Sequence, residues 1–186
     1  MNYGVTNAIG VLLLDELADI LRDSRVKDEV KSLVITSSND KFFSIGFNLP
    51  ELLSLNKDAF CEFYLKFNRM CIDLFTFQKP TIAAMNGHAI AGGYILALCC
   101  DFRYISEGRN KIGLNDIKLG LPVPYPADCI LRALVDSRSA RDVTYTGNFY
   151  APEQSIHLGL VNAVLPPEEI QRAAIKKAAA LSQMPN

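Results

Sequence analysis

The stretch "TIAAMNGHAIAGGYILALCCDFRYI", residues 81 to 105, decides how this chain is read. Thr81 to Met85 is an apolar strand-like run that stops at Asn86-Gly87. Ala91-Gly92-Gly93 follows, and an apolar helical run then reaches Asp101. Strand, glycine turn, helix and a second strand "FRYIS" (102–106) form the pattern of a parallel sheet with helical crossovers. Two adjacent glycines at a helix start serve either of two ends. They bring backbone amides up to a ligand, or they let the helix pack closely on the sheet. The stretch alone leaves both open.

Outward from it, the same pattern recurs. "SLVITS" (32–37) reads as a buried strand, followed by a turn, a glycine loop and a short helix started by Pro50. Residues 7 to 22 read as an amphipathic helix with Asn7 as N-cap and Leu13, Leu14, Leu17, Ile20 and Leu21 on one face. Residues 57 to 78 read as a longer one, with Phe60, Tyr64, Phe67, Met70, Cys71 and Leu74 spaced for burial. "KIGL" (111–114) reads as a strand, and helices are expected near 126–135, 138–146, 152–159 and 167–182. No linker or low-complexity segment divides the chain, so one domain over residues 1–186 is the expectation.

Composition narrows the function. Hydrophobic residues make up 49% of the 186 residues, charged residues 21%, and the net charge is −1. That is ordinary globular chemistry, with no basic field for nucleic acid. No apolar run approaches the ~20 residues of a membrane span. Five cysteines form no CxxC pair and no spacing with the two histidines that suits a metal. Cys99 and Cys100 lie in the apolar run and read as reduced core thiols. The odd cysteine count and the lack of a signal-peptide layout give an intracellular, reducing, cytoplasmic expectation, peroxisomal or mitochondrial in a eukaryote.

The candidate sites each carry two readings. In "KFFSIGFNL" (41–49), Gly46 is an ordinary loop glycine or a point of close approach. Its placement after one strand, like Gly92 after another, puts both turns on one sheet edge, where two amides can converge on an oxygen. In "IGLNDIKLGLPVPYP" (112–126), Asp116 either caps the turn at Leu114-Asn115 or is a buried carboxyl poised as a base. Asp101 reads as structural, and His88 and His157 as turn or helix-end residues. Tyr125 is a candidate to point into the same pocket.

Four segments, "KFFSIGFNLPEL", "PTIAAMNGHAIAGGYILALCCDFRYIS", "KIGLNDIKLGLPVP" and "TGNFYAPEQSIHLGLVNAVLP", resemble in order the motifs of the crotonase superfamily of enoyl-CoA hydratases and isomerases. The resemblance runs from about Val5 to about residue 182. It implies an α/β fold, a crotonase-like spiral of ββα repeats, assembled as a homotrimer or hexamer. Beside the family, the chain looks short by a strand pair at its front and by much of the C-terminal helical region.

The resemblance also implies roles. The backbone N–H groups of Phe47 and Gly92 correspond to the family's oxyanion donors. Ser44, Ile45, Gly46, Asn48, Gly93, Ile95, Leu121 and Tyr125 correspond to positions around the bound acyl-CoA thioester. Hydratases of the family carry two glutamates, at the positions of Ile95 and Asp116, and Ile95 cannot transfer a proton. Members with a further Asp eight residues on find Pro124 here. One carboxylate beside an oxyanion hole resembles the Δ3,Δ2-enoyl-CoA isomerases, which use no metal or redox cofactor. Asp for Glu at position 116 shortens the reach by about 1.5 Å, one C–C bond. A member that binds CoA thioesters without turnover, or one that decarboxylates, hydrolyses or hydrates them, is the alternative expectation.

Overall fold

The computed structural model describes residues 1–184, so the last two positions of the expected 1–186 domain lie outside the described residues. Helix α1 (Val11–Val26), strands β1 (Leu33–Ile35) and β2 (Phe42–Ser44), and helices α2 (Leu49–Leu52) and α3 (Lys57–Phe75) come first. Strands β3 (Thr81–Met85) and β4 (His88–Ile90) lead to α4 (Gly92–Leu98), then β5 (Phe102–Ser106), β6 (Ile112–Gly113) and a 3-10 turn, Asp116–Leu119. Helices α5 (Tyr125–Leu134), α6 (Ser137–Thr146) and α7 (Pro152–His157), strand β7 (Ala163–Leu165) and α8 (Ile170–Leu181) complete the described chain.

The strands form two parallel sheets, ordered β1-β3-β5-β7 and β2-β4-β6. In each successive pair the first strand enters the four-stranded sheet and the second the three-stranded sheet, before helix carries the chain back. This is the α/β spiral of ββα repeats that the resemblance implied. It also corrects one expectation. The two glycine turns do not follow the strands at 32–36 and 81–85 on a single sheet. They follow β2 and β4, which pair with each other in the smaller sheet, Phe42 opposite His88 and Ser44 opposite Ala89. Both are three residues long, too short for a period-2 pattern to register, and β7 was missed for the same reason.

Strand β3 lies inside the larger sheet with all five residues buried. Its alternation serves two cores. Ile82 and Ala84 pack with Ile170, Ala174 and Ala178 of α8, while Ala83 and Met85 join the main core on the other face. Full burial of a side chain such as Ile82 is worth about 1.5–3 kcal/mol. Asn86 makes the step from one sheet to the other. Its side chain donates to the Ser37 carbonyl at 3.0 Å and accepts from the Ser37 N–H at 3.2 Å, so β1 ends earlier than the residues 32–37 expected. Asp101 is structural, as read: its carboxylate accepts from both the N–H and the hydroxyl of Thr81, at 2.8 and 2.9 Å.

Helix α1 begins four residues later than expected, and Asn7 is not its N-cap. Ile9 is held extended beside Phe47, its N–H on the Gly46 carbonyl at 2.7 Å and its carbonyl accepting from Asn48 at 2.9 Å. The helix can start only after that bridge, and Glu51 accepts from its first N–H, that of Val11, at 2.9 Å. Ile20 is exposed, against expectation, and Ser24 is buried. Asn7, at φ +48°, is buried instead, with its amide on the Ser37 hydroxyl and the Phe43 carbonyl. In α3 the Asn56 side chain caps Ala59 N–H at 2.9 Å, and Phe63, Phe67, Met70, Cys71 and Leu74 form the buried face. Phe60 is exposed and Tyr64 only half-buried, against expectation. Cys99 and Cys100 are buried thiols, as read. No helix among the described residues is long and apolar enough to cross a membrane.

Candidate active site

Strand β2 delivers Ser44, Ile45, Gly46 and Phe47 to one edge of the small sheet, and β4 delivers Ala91, Gly92 and Gly93 beside them. The two turns touch through glycine. Gly46 sits at φ +88°, and a Cβ there would lie 2.8 Å from the Gly92 nitrogen and 2.9 Å from the Ile90 carbonyl oxygen. A Cβ on Gly92 would press on the Phe47 ring at 3.2 Å, and one on Gly93 would overlap the Ser44 carbonyl. Packing against backbone therefore requires glycine at positions 46 and 93, while at 92 an added methyl would have to push the Phe47 ring aside by a few tenths of an ångström. Ala91 holds φ +49°, a strained value for a residue with a side chain, and aims the start of α4.

The same packing leaves two amides without acceptors among the described residues. Ile9 bridges across Phe47 by bonding its neighbours Gly46 and Asn48, so the Phe47 N–H faces away from Ile9 and makes no bond. Gly92 is the first residue of α4, and its N–H has no intrahelical partner. Two orphan donors on turns in van der Waals contact are the raw material of an oxyanion hole. The packing and ligand readings of the glycine turn are thus compatible.

Asp116 comes from the third strand of the small sheet. It opens the 3-10 turn after β6, and Gly120 at φ +73° reverses the chain behind it. The Gly147-Asn148 loop braces this turn from outside, with a Cβ on Gly147 falling 2.8 Å from Ile117. Tyr150 locks β6 in place through paired backbone bonds with Ile112 at 2.9 and 3.1 Å. One Asp116 carboxylate oxygen is buried with no hydrogen-bond partner. Burial raises the carboxyl's pKa above the ordinary carboxylate value, and a bond to its own backbone N–H offsets only part of this. The capping alternative for Asp116 is not what the side chain does.

Asp116 opens onto a cavity of about 550 Å³ that Phe47 and Leu121 also line. The wall is otherwise apolar: Leu52, Leu55, Phe60 and Pro124 are part of it, with Tyr64 and, at Lys57, a single cation. Asp116 is the one carboxylate among the lining residues. The remaining sequence candidates fall elsewhere. Ser44 is buried and bonded to the Asn7 carbonyl at 2.7 Å, so it supports the turn. Ile45 is half-buried and its N–H meets Thr6. Asn48 turns its amide to Glu51 at 2.8 Å. Ile95 is 1% exposed and part of the core. Tyr125 does not line the cavity and is 80% exposed, because it opens α5 on the outer side.

Sequence reasoning missed the far wall of the cavity, Leu49 to Tyr64. The signal was present. "LPELLSL" holds more leucines than a four-residue helix can bury. The histidines take no part. His88 Nδ1 accepts from the Lys111 N–H at 3.0 Å, with its pKa lowered by burial, Lys111 and Lys41. His157 lies exposed at the end of α7. Among the described residues no group of His, Cys, Asp and Glu is placed to hold a metal ion.

Residues 1–186 match the family model described as enoyl-CoA hydratase/isomerase. The mitochondrial enoyl-CoA delta isomerase 1 of Mus musculus is 26% identical over 90% of this chain. The crotonyl-CoA hydratase of Syntrophomonas wolfei is 32% identical over 88% of it. The chain spans 58% and 63% of the length of those two relatives. Among solved structures, human mitochondrial delta3-delta2-enoyl-CoA isomerase superposes with a TM-score of 0.94 at 25% identity, covering 98% of this chain and 71% of that one. An enoyl-CoA hydratase from Bacillus anthracis gives 0.90 at 26%, covering 96% and 69%.

Proposed function

The chain belongs to the enoyl-CoA hydratase/isomerase family, and from that premise we propose that it shifts the double bond of a 3-enoyl-CoA thioester to the 2-position. The observation that carries this reading is Asp116, the one carboxylate on an otherwise apolar cavity wall. The thioester oxygen accepts from Phe47 N–H and Gly92 N–H. Asp116 takes a proton from C2, and the electron pair moves through C1 onto that oxygen as a dienolate. The dienolate collapses as the proton returns at C4, leaving a C2=C3 double bond. One proton moves and nothing is oxidised, so the only coenzyme in the proposal is the CoA of the substrate. Each oxyanion donor of this kind is worth about 3–4 kcal/mol, and the positioned base about 10²–10⁴-fold.

The 32% identity to a crotonyl-CoA hydratase favours hydration as a second reading. Adding water needs a second group to handle the water's protons. Ile95, at the corresponding position, is a core hydrocarbon, and this supports isomerisation over hydration. The exposed side chains Ile117, Leu119, Tyr125 and Phe149 beside the Asp116 turn support assembly as a homotrimer or hexamer, which sedimentation tests.

Asp116→Asn is the deciding variant. Isomerisation of 3-enoyl-CoA is expected to fall 10²–10⁴-fold while saturated acyl-CoA still binds. Unchanged turnover sinks the reading. A wild-type protein that binds but turns nothing over makes it a binding member of the family, and hydration of 2-enoyl-CoA in place of isomerisation restores the second reading.

A further inference from the structure

Resting on that reading, we infer that Tyr150 and Asp142 are positioning residues for the Asp116 base, fixing its turn in place from outside the cavity. An aspartate side chain is about 1.5 Å shorter than a glutamate, one C–C bond. The reach of its carboxylate is therefore set by the backbone that carries it. Of the helices and strands described, α6 is the one the 3-10 turn packs on most.

The loop that follows α6 grips the Asp116 segment along its length. Ahead of the turn, Tyr150 and Ile112 exchange backbone bonds at 2.9 and 3.1 Å, and a Cβ on Gly113 would overlap the Asn148 carbonyl. On the turn itself, a Cβ on Gly147 would lie 2.8 Å from the Ile117 side chain and 3.4 Å from the Asn115 Cα. Past Asp116, the Lys118 ammonium reaches the Asn148 side chain at 3.5 Å and lies 5.9 Å from the centre of the Phe149 ring. Residues 112 to 118, with Asp116 among them, go where residues 147 to 150 go.

The loop is in turn tied to α6 at Asp142. Tyr150 is buried and donates its hydroxyl to the Asp142 carboxylate at 2.7 Å. The Thr146 hydroxyl donates to the Asp142 carbonyl at 2.6 Å and accepts from the Asn148 N–H at 3.2 Å. Burial, and after it the Asp142 bond, push the Tyr150 phenol up to about 12, so it remains a donor at neutral pH. Cutting the Tyr150–Asp142 bond frees the end of the loop that pairs with Ile112, and with it the backbone beneath the base.

The test uses variants of the whole chain. Tyr150→Phe keeps the ring and the backbone bonds to Ile112. Asp142→Ala cuts the same bond from an exposed helix position, which leaves the core intact. Each is expected to lower kcat for 3-enoyl-CoA about tenfold, the effect of a base displaced by about half an ångström, with KM within about twofold. The double variant should be no slower than either single one, since both cut one bond. Asp142→Asn still offers an oxygen to the phenol and should stay within about threefold of wild type. Amide hydrogen exchange reads the same bond without turnover. Exchange across residues 113–121 should quicken about fivefold in both breaking variants, with β3 and α4 unchanged. Wild-type kcat in the folded breaking variants overturns the inference, as does a loss carried by KM or an Asp142→Asn protein as slow as Asp142→Ala. Exchange that quickens equally along the whole chain overturns it in favour of a role in stability alone. A wild-type protein that turns over no 3-enoyl-CoA refutes the isomerase reading itself, and the exchange pattern then decides whether this bond holds the turn.

Discussion

Gly46→Ala tests the proposed oxyanion hole without touching any group that reacts. A methyl at position 46 falls 2.8 Å from the Gly92 nitrogen, 2.9 Å from the Ile90 carbonyl oxygen and 3.0 Å from the Ala91 Cβ. The obstruction is backbone, so it cannot rotate aside. Restoring an ordinary 3.4 Å contact requires the two turns to part by about 0.6 Å. Because a 1 Å misplacement costs on the order of 10²-fold, isomerisation should fall on the order of tenfold. The loss approaches 10²–10³-fold if the Gly92 amide swings out altogether. The positive φ adds about 1–2 kcal/mol of lost stability, or roughly 2–8 °C in Tm for a chain of this size.

Gly108→Ala is the matched control. It has φ +99° and nothing within 4 Å of the added methyl, so it carries the backbone cost without the collision. Steady-state isomerisation of 3-enoyl-CoA, measured well below both melting points, separates the two. Gly46→Ala should lose turnover and stability, Gly108→Ala stability alone. A folded Gly46→Ala protein with turnover within about twofold of wild type would refute the assignment of these two amides.

Asp116→Asn should also be more stable than wild type at neutral pH. Burial raises the folded carboxyl's pKa, so the native state holds its proton more tightly and stability falls as pH rises through that raised value. Thermal melts at about pH 3 and pH 8 should show the advantage of the variant only at the higher pH, while wild-type turnover rises with pH as Asp116 ionises. Phe47→Leu keeps the backbone donor, so its turnover should stay within about tenfold. Its Tm should drop through loss of the edge contacts with Phe63 and Phe67, now at 5.2 and 4.7 Å. Asn7→Ala strands the Tyr3 N–H, removes the bonds to the Ser37 hydroxyl and the Phe43 carbonyl, and places alanine at φ +48°. The expected cost is about 2–4 kcal/mol by urea denaturation, and a wild-type midpoint would contradict the bonding described.

Much of this molecule was legible as sequence. The stretch 81–105 stated a strand, a glycine turn and a helix because β3 is five residues long, apolar after Thr81 and wholly buried. Asp116 stood out because a carboxylate among Leu114, Ile117, Leu119 and Leu121 has to be satisfied, exposed or used. Local signals gave the late helices to within a few residues, since capping and periodicity act over single turns.

Other features were decided only where distant segments meet. Three-residue strands β2, β4 and β7 gain their backbone bonds from neighbours far along the chain, so no local pattern announces them. Asn7 has the composition of a cap, but a bridge between Ile9 and Phe47 moved the helix start past it. Phe60 and Tyr64 look like core because helical spacing does not say which of two neighbouring faces meets protein and which meets a cavity. The chain by itself determined that backbone glycines and a single carboxylate were available. Tertiary packing alone brought Gly46 against Gly92, left two amides unpaired and sealed one Asp116 oxygen from water, because those contacts join residues tens of positions apart.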